Sequence, residues 1–153
     1  MTTNYVDQHV QQFVAKVNQL SQPLDPKLGT VFQKTFLNTL ETTISDDEQG
    51  YAFILTGDIP AMWQRDSTAQ VRPYLALAHE QPAIADLITR VVQRQFFNMA
   101  IDPYANAFNE TANGHGHQSD QTNMGPWIWE RKFEIDSFCL LYTSPSPRDM
   151  RRS

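Results

Sequence analysis

The sequence contains no apolar run that approaches the roughly 20 residues required for a membrane-spanning helix. Its first residues, MTTNYVDQHVQQ, lack the basic and apolar regions of a signal peptide. The only cysteine, Cys139, lies near the C-terminus in a segment of different character, so it supports neither a disulfide framework nor a thiol nucleophile. We expect a cytoplasmic protein with no membrane partner.

The C-terminal residues differ in composition from the rest of the chain. The last residues, CLLYTSPSPRDMRRS, change abruptly to Ser, Pro and Arg without a turn or cap that closes the preceding segment. Residues 139–149 resemble the translation of a transposon-derived sequencing adapter, and a natural Pro-rich tail is the alternative. We therefore predict part of one domain over residues 1–138 and a non-native tail over residues 139–153.

Positive charge is scarce. The whole chain has 12 Lys and Arg against 17 Asp and Glu, and the tail contains three of the former and one of the latter. Without the tail the net charge is therefore −7 rather than −5. Because such a surface repels phosphate backbones at long range, we expect no nucleic-acid partner.

Apolar residues recur at helical spacing in several stretches. Thr3 or Asn4 is expected to cap a first helix, and Asp25 with Pro26 to open a second. Pro82 is expected to begin the longest regular helix. The apolar positions of that helix are Ile84, Leu87, Ile88, Val91, Val92, Phe96 and Met99.

Between the second and the longest helix, the short apolar run at residues 51–55 predicts a buried strand or extended segment. Asp66 or Ser67 is expected to cap a further helix that runs to His79, with Pro73 as a kink or a later start. Helices joined by polar loops, with at most one or two short strands, indicate an all-α architecture.

The stretch TGDIPAMWQRDSTAQ places an indole beside charged groups at a predicted helix start. Trp63 could stack on the apolar face of a pyranose while Arg65 and Asp66 bind its hydroxyls. The alternative is structural, with Arg65 paired to Asp66 or Asp58 and the indole in the core.

A long polar stretch, residues 102–122, contains Asn109, His115 and His117. Loops of this length in compact domains tend to be functional or disordered. Three interpretations are open: a hydroxyl-binding loop, a plain solvated loop, and a weak metal site in which Asp120 completes the two histidines.

The stretch WIWERKFEIDS alternates aromatic and charged residues. If it is helical, Glu130 and Glu134 lie one turn apart on one face and could serve acid–base chemistry. Ion pairing with the neighbouring basic residues is the commoner explanation.

In this order and at these intervals, the three stretches resemble the N-terminal third of glycoside hydrolase family 125, exo-acting α-1,6-mannosidases that work without a metal. The resemblance covers nearly all of residues 1–138. Gln64 departs from it, because that position more often holds an apolar residue. The resemblance implies an (α/α)6 barrel of paired helices, incomplete here, and an inverting hydrolysis of terminal mannose.

The resemblance also implies site residues. Those expected to bind the sugar are Trp63, Arg65, Asp66, Asn109, His115, His117 and Glu130. The catalytic Asp and Glu are expected beyond the end of this chain, so the chain alone should be inactive. No metal, cofactor or protein partner is implied, and the expected ligand is a mannose-containing oligosaccharide.

Two other functions fit the residues. One is a carbohydrate-binding helical module without catalysis. The other is a metal-dependent hydrolase that uses His115 and His117.

Overall fold

The computed structural model describes residues 5–137. That range contains five α-helices, five short strands and one 3-10 turn, and is mostly helical. The helices are α1 (Gln8–Ser21), α2 (Pro26–Thr42), α3 (Gln64–Val71), α4 (Leu75–Ala78) and α5 (Pro82–Ile101). The strands are β1 (Ile44–Asp46), β2 (Ala52–Ile54), β3 (Met62–Trp63), β4 (Ala107–Phe108) and β5 (Ile128–Glu130).

Side chains that bind free backbone N–H groups set the starts of α1 and α2. Asp7 caps α1 by accepting hydrogen bonds from the N–H groups of His9 and Val10 at 2.9 and 3.0 Å. The predicted caps, Thr3 and Asn4, lie outside the described residues, and the helix begins after Asp7 instead. The second prediction is confirmed, since Asp25 caps α2 and Pro26 is its first residue.

The main core lies between the α1–α2 pair, the β1–β2 hairpin, α4 and the first half of α5. Aromatic rings connect these elements. Phe36 stacks on Phe32 with a centroid distance of 4.8 Å and tilts against Tyr74 at 4.7 Å. The predicted strand over residues 51–55 is confirmed as β2, whose three residues are all buried.

For the helix expected from Asp66 or Ser67 to His79, the predicted start is wrong, and the predicted effect of Pro73 is present as an interruption of the helix. Its N-cap is Trp63, three residues before Asp66, and the helix begins directly after β3. It stops at Val71 because Pro73 cannot donate to a helical hydrogen bond. A 3-10 turn, Arg72–Tyr74, and the short α4 follow.

The strands exceed the one or two expected. β1 and β2 form an antiparallel hairpin, and β3, β4 and β5 form an antiparallel sheet in that spatial order. Strands of two or three residues are too short to show an alternating pattern in the sequence, and those of the larger sheet come from distant parts of the chain.

The buried face of α5 changes from apolar to polar along the helix. Ile84, Leu87, Ile88 and Val91 are buried, as predicted from their spacing. Phe96 is 58% exposed, contrary to the prediction, and the same face continues through Arg94, Gln95 and Asn98, all at most 1% exposed. The spacing of three and four residues identifies this buried face correctly. Selecting only apolar residues along the helix instead places Phe96 on it and omits Arg94, Gln95 and Asn98. Across residues 5–137, no helix combines the length and apolar character needed to cross a bilayer.

Candidate functional site

The three polar stretches of the sequence meet in the β3–β4–β5 sheet. Ala107, in the central strand, has Trp63 as its partner on one side and Glu130 on the other. Asn106 extends the connection, because its carbonyl accepts from the N–H of Gln64 at 3.0 Å and its own N–H donates to the carbonyl of Glu130 at 3.2 Å. Trp63 and Ala107, 44 residues apart in sequence, are thus adjacent, and Glu130 is adjacent to Ala107 on its other side.

Directly opposed residues in neighbouring strands present their side chains on the same face of a sheet. Trp63, half-buried, is opposed to Ala107 in this way, whereas the pairing of Ala107 with Glu130 is followed by an irregular register between Ala107 and Phe108. Two strand spacings separate Trp63 from Glu130, which lie in the two outer strands, by roughly 10 Å.

Arg65 lies in the first turn of α3 with 39% of its side chain exposed. Its guanidinium contacts Asp66 at 3.6 Å, Glu134 at 3.5 Å and Asp136 at 3.2 Å. The hydrogen bond to Asp136 and the charge of Glu134 raise the pKa of Arg65. The Arg65–Asp66 pair considered from the sequence is present, and the other two partners come from the segment after β5.

Glu130 is 12% exposed and accepts two short hydrogen bonds. Asn106 Nδ2 donates at 2.7 Å and Lys132 Nζ at 2.6 Å. Burial opposes ionisation of this carboxyl, but the bonds from Lys132 and Asn106 outweigh it and lower the pKa of Glu130. Bonding to Glu130 raises the pKa of Lys132 in turn.

Glu130 and Glu134 do not share a helix, contrary to one interpretation of this stretch. Glu130 ends β5, and Glu134 lies in the irregular segment that follows. They are brought together by Asn106, whose Nδ2 also donates to Glu134 Oε1 at 3.2 Å. The ion pair expected between Glu130 and a basic neighbour is present with Lys132.

The polar loop folds back onto β5 through a glycine. Gly116 has φ +107°, and a Cβ there would lie 2.3 Å from the carbonyl oxygen of Trp129. Next to it, the N–H of His117 donates to that carbonyl at 2.8 Å. Nε2 of His117, whose side chain is 55% exposed, lies 3.9 Å from Glu130 Oε1. His115 is an exposed residue of the same loop, and its backbone N–H donates to Asn113 Oδ1 at 2.9 Å.

Asn109 is buried beneath this loop. Its Nδ2 donates to the carbonyls of His115 at 3.0 Å and Pro126 at 3.1 Å, so the amide holds the loop closed. Its Oδ1 is buried and has no hydrogen-bond partner within residues 5–137. Contact between Asn109 and a ligand stays a prediction. Such a contact would have to be made by Oδ1, because Nδ2 already donates to two carbonyls.

Trp63, Arg65, Asp66, His117 and Glu130 thus lie around one end of the sheet, whereas Asn109 lies under the loop. We call the charged residues at this end of the sheet, together with Asn106 and His117, the open network. It consists of Arg65, Asp66, Asn106, His117, Glu130, Lys132, Glu134 and Asp136. In residues 5–137, no group of three or more His, Cys, Asp or Glu side chains is arranged to hold a metal ion.

The sequence reasoning missed a second set of polar residues behind the sheet, which we call the buried network. It consists of Asp47, Gln64, Ser67, Thr68, Arg94, Gln95 and Asn98. Its centre is an ion pair between Arg94 and Asp47 at 2.6 Å, with the two side chains 0% and 1% exposed.

Every branch of the Arg94 guanidinium is occupied. Nε donates to Asn98 Oδ1 at 3.0 Å, and Nη2 donates to the carbonyls of Asn109 at 2.7 Å and Glu110 at 3.2 Å. The rings of Phe53, Phe97 and Trp127 surround the cation at 5.0, 5.2 and 5.6 Å. Burial lowers the pKa of Arg94, and the bond to Asp47 opposes that shift.

Gln64 connects α3 to α5 in the same network. Its Nε2 donates to the carbonyl of Gln95 at 3.0 Å, and Gln95 Nε2 donates to the hydroxyls of Ser67 and Thr68, both at 2.8 Å. The signal in the sequence was the run of polar residues at core spacing on α5, together with the departure from the family pattern at Gln64.

These two networks give the site its chemistry. The open network presents cationic donors and anionic acceptors on a partly exposed surface, which suits a neutral ligand with several hydroxyl groups. The buried network fixes the elements behind it.

Comparisons with known proteins agree with the motifs. A family model described as metal-independent alpha-mannosidase (GH125) matches residues 25–143. The chain is 36% identical over 141 residues to the Meiotically up-regulated gene 157 protein of Schizosaccharomyces pombe, which covers 84% of this chain and 27% of that protein. A Streptococcus pneumoniae protein, solved in a non-productive complex with alpha-1,6-mannobiose and described among metal-independent alpha mannosidases, is 39% identical with a TM-score of 0.86. That match covers 95% of this chain and 36% of the solved chain, so the sequence spans about a third or less of either relative.

Proposed function

Because the chain belongs to glycoside hydrolase family 125, as its three motifs predicted, we propose that it is the N-terminal part of an exo-acting α-mannosidase. The proposed reaction releases terminal, α-1,6-linked mannose with inversion. One observation carries the proposal: the three motifs, far apart in sequence, lie side by side in the β3–β4–β5 sheet. The α-1,6-mannobiose bound to the streptococcal protein gives the substrate class.

In the proposed site, Trp63 packs against the apolar face of the mannose ring, and Arg65 with Asp66 binds adjacent hydroxyls. Glu130 accepts from a hydroxyl on the other side of Ala107. His117, His115 and Asn109 contribute from the loop. The arrangement in the open network supports the roles of Arg65, Asp66 and Glu130, because these three charged side chains lie at one end of the sheet and those of Arg65 and Asp66 are 39% and 38% exposed.

An inverting glycosidase needs a carboxylic acid that protonates the departing oxygen and a carboxylate that activates water, roughly 6.5 to 9.5 Å apart. We assign neither role to residues 5–137. The acid Asp and the base Glu are proposed to lie in sequence that follows the family-like part, within a completed (α/α)6 barrel. The 153-residue chain by itself should therefore bind or orient a sugar without hydrolysing it.

The first experiment is to recover the reading frame across residue 138 and to assay the resulting protein on α-1,6-mannobiose. Hydrolysis with inverted anomeric configuration, unaffected by a strong chelator, is the expected result. A stop codon soon after residue 138, with sugar binding and no hydrolysis, would favour the carbohydrate-binding module. Activity abolished by chelation and restored by a metal would favour the hydrolase based on His115 and His117.

The second experiment is Asp66→Ala in the same protein. Loss of a carboxylate that binds substrate hydroxyls should lower kcat/KM by about a hundredfold or more, since several kcal/mol of transition-state binding disappear. Asp58→Ala is the matched control, because Asp58 is exposed and lies before β3. Equal kcat/KM for wild type and Asp66→Ala would refute the proposed site.

A further inference from the structure

Asn106 occupies a central position between the three strands. It is 1% exposed, and its backbone connects Gln64 on one side to Glu130 on the other. Its Oδ1 accepts from the N–H of Lys132 at 2.9 Å. These contacts orient the side-chain amide, because Oδ1 is committed to a donor and Nδ2 must face the opposite direction.

Both hydrogens of that amide are directed to carboxylates. Nδ2 donates to Glu130 Oε2 at 2.7 Å and to Glu134 Oε1 at 3.2 Å. Two oxygens bound to one nitrogen at these distances lie less than about 6 Å apart, where two unscreened negative charges repel each other. A neutral double donor between them offsets part of that repulsion without adding charge.

The cations of the open network do not bridge the two carboxylates. Lys132 Nζ contacts Glu130 at 2.6 Å, and Arg65 contacts Glu134 at 3.5 Å. Each of these cations binds one member of the pair, and Asn106 binds both. Lys132 and Arg65 are also 65% and 39% exposed, so their side chains can move toward a ligand, whereas Asn106 is enclosed.

We propose that Asn106 is a positioning residue: its side-chain amide sets the spacing and direction of the Glu130 and Glu134 carboxylates at the edge of the sheet. Insofar as these carboxylates receive sugar hydroxyls, the proposal rests on the proposed function. It assigns a role to a residue that would not itself touch the sugar. An aspartate of the same shape could not perform that role, because it has no N–H and would add a third negative charge.

A purely structural asparagine would behave differently. The backbone bonds of residue 106 are independent of its side chain and persist in Asn106→Ala. If only these bonds matter, removing the amide leaves the ionisation of Glu130 unchanged. If the amide positions the pair, the pKa of Glu130 rises when it is removed, because a hydrogen bond to the ionised form is lost.

The test is a titration of the chain by NMR, with the glutamate carboxyl carbons labelled. The Glu130 midpoint should move to higher pH in Asn106→Ala and further in Asn106→Asp. Asn98→Ala is the control for general loosening, because Asn98 is equally buried and contacts Arg94 and Gln64 instead. An unchanged Glu130 midpoint in both Asn106 variants would overturn the proposal.

A second measurement needs no change at residue 106. The two side-chain amide protons of Asn106 in the wild-type chain should each shift as the carboxylates titrate, and Glu134→Gln should change one of them strongly and the other weakly. If the chemical shifts of these amide protons change neither with pH nor in Glu134→Gln, the proposal is contradicted even if the Asn106 variants fail to fold.

The functional consequence is measured on the full-length protein. Asn106→Ala should lower kcat/KM on α-1,6-mannobiose about tenfold or more, and Asn106→Ser, which keeps one donor, should recover part of that loss. Normal kcat/KM in Asn106→Ala would show that the pair's position does not matter for the sugar. A wild-type protein without mannosidase activity would instead refute the proposed function, and the titration would still decide the position of the pair.

Discussion

Two arginines of this chain lie in opposite environments. Arg94 is fully buried, has one carboxylate partner, Asp47, and gives its remaining donors to an amide and two carbonyls. Arg65 is 39% exposed and has three carboxylates within 3.6 Å. A buried charge is tolerated only when it is paired and hydrogen-bonded, so Arg94 has nothing left to offer a ligand. Arg65 has an excess of exchangeable partners in water, which a hydroxyl-rich ligand can replace.

The two environments meet at β4. Arg94 donates to the carbonyl of Asn109, just after that strand, and Asn106, just before it, connects to Glu130 and Glu134. The central strand is therefore held at one end by a network closed to water and at the other by a network open to it. We therefore associate the buried network with stability and propose the open network as the part that binds a ligand.

The largest expected effect comes from removing the buried cation. Arg94→Ala leaves Asp47 without its charged partner and two buried carbonyls without donors. We expect a loss of about 3–5 kcal/mol in the free energy of unfolding, enough to unfold a marginal domain. Urea denaturation followed by circular dichroism measures it. Arg72→Ala, at an exposed arginine, is the control. A loss below about 1 kcal/mol in Arg94→Ala would contradict the stabilising role given to the buried network.

The next effect concerns the contact between the loop and β5. Gly116→Ala combines a positive φ with a Cβ against the Trp129 carbonyl and should cost about 1–3 kcal/mol. Gly114→Ala is the matched variant, with φ +70° and no atom within 4 Å of its added Cβ. The same denaturation experiment should show Gly116→Ala as clearly the more damaging. Equal losses would mean that the loop can move away from β5 freely.

A smaller effect on stability is expected at the exposed arginine. Arg65→Ala should change the free energy of unfolding by about 1 kcal/mol or less, because its ion pairs are screened by water. In the full-length protein the same variant should greatly reduce kcat/KM on α-1,6-mannobiose. A large loss of stability with normal kcat/KM would reverse the roles assigned to the two arginines.

The smallest effect is a pH dependence. The pKa of Glu130 is lowered in the folded chain, so its ionised form stabilises the fold above the ordinary glutamate range, and that contribution disappears as pH falls through the lowered pKa. Glu130→Gln should therefore be less stable than wild type at pH 7 and should approach it in acid. Urea denaturation at both pH values tests this, and a gap that widens in acid would contradict it.

Local signals made part of this fold predictable. The Asp25–Pro26 start of α2, the start of α5 at Pro82 and the buried β2 segment all depend on neighbouring residues, and the sequence contains those neighbours. The start of α3 was misplaced by at least three residues, because the backbone of Trp63 belongs to a strand whose partner, β4, lies more than 40 residues later.

The site divides in the same way. Trp63, Arg65 and Asp66 suggested either a sugar site or a structural ion pair from the sequence alone, and a binding role for Glu130 was implied only by the family resemblance. The sheet that places them side by side depends on non-local pairing, which no local pattern encodes. Arg94 and Asn106 were missed because one looked like an interruption of an apolar face and the other like an ordinary loop residue.

The aromatic enclosure of Arg94 gives this protein a built-in optical reporter. The indole of Trp127 lies 5.6 Å from the guanidinium and edge-on to Phe97, while the indole of Trp63 is half-buried beside the open network. Fluorescence from Trp127 should follow the integrity of the interior, and that from Trp63 should respond to quenchers and to added sugar. Variants that keep only Trp127 or only Trp63, with the other two of the three tryptophans replaced by phenylalanine, would assign the two signals without any external label.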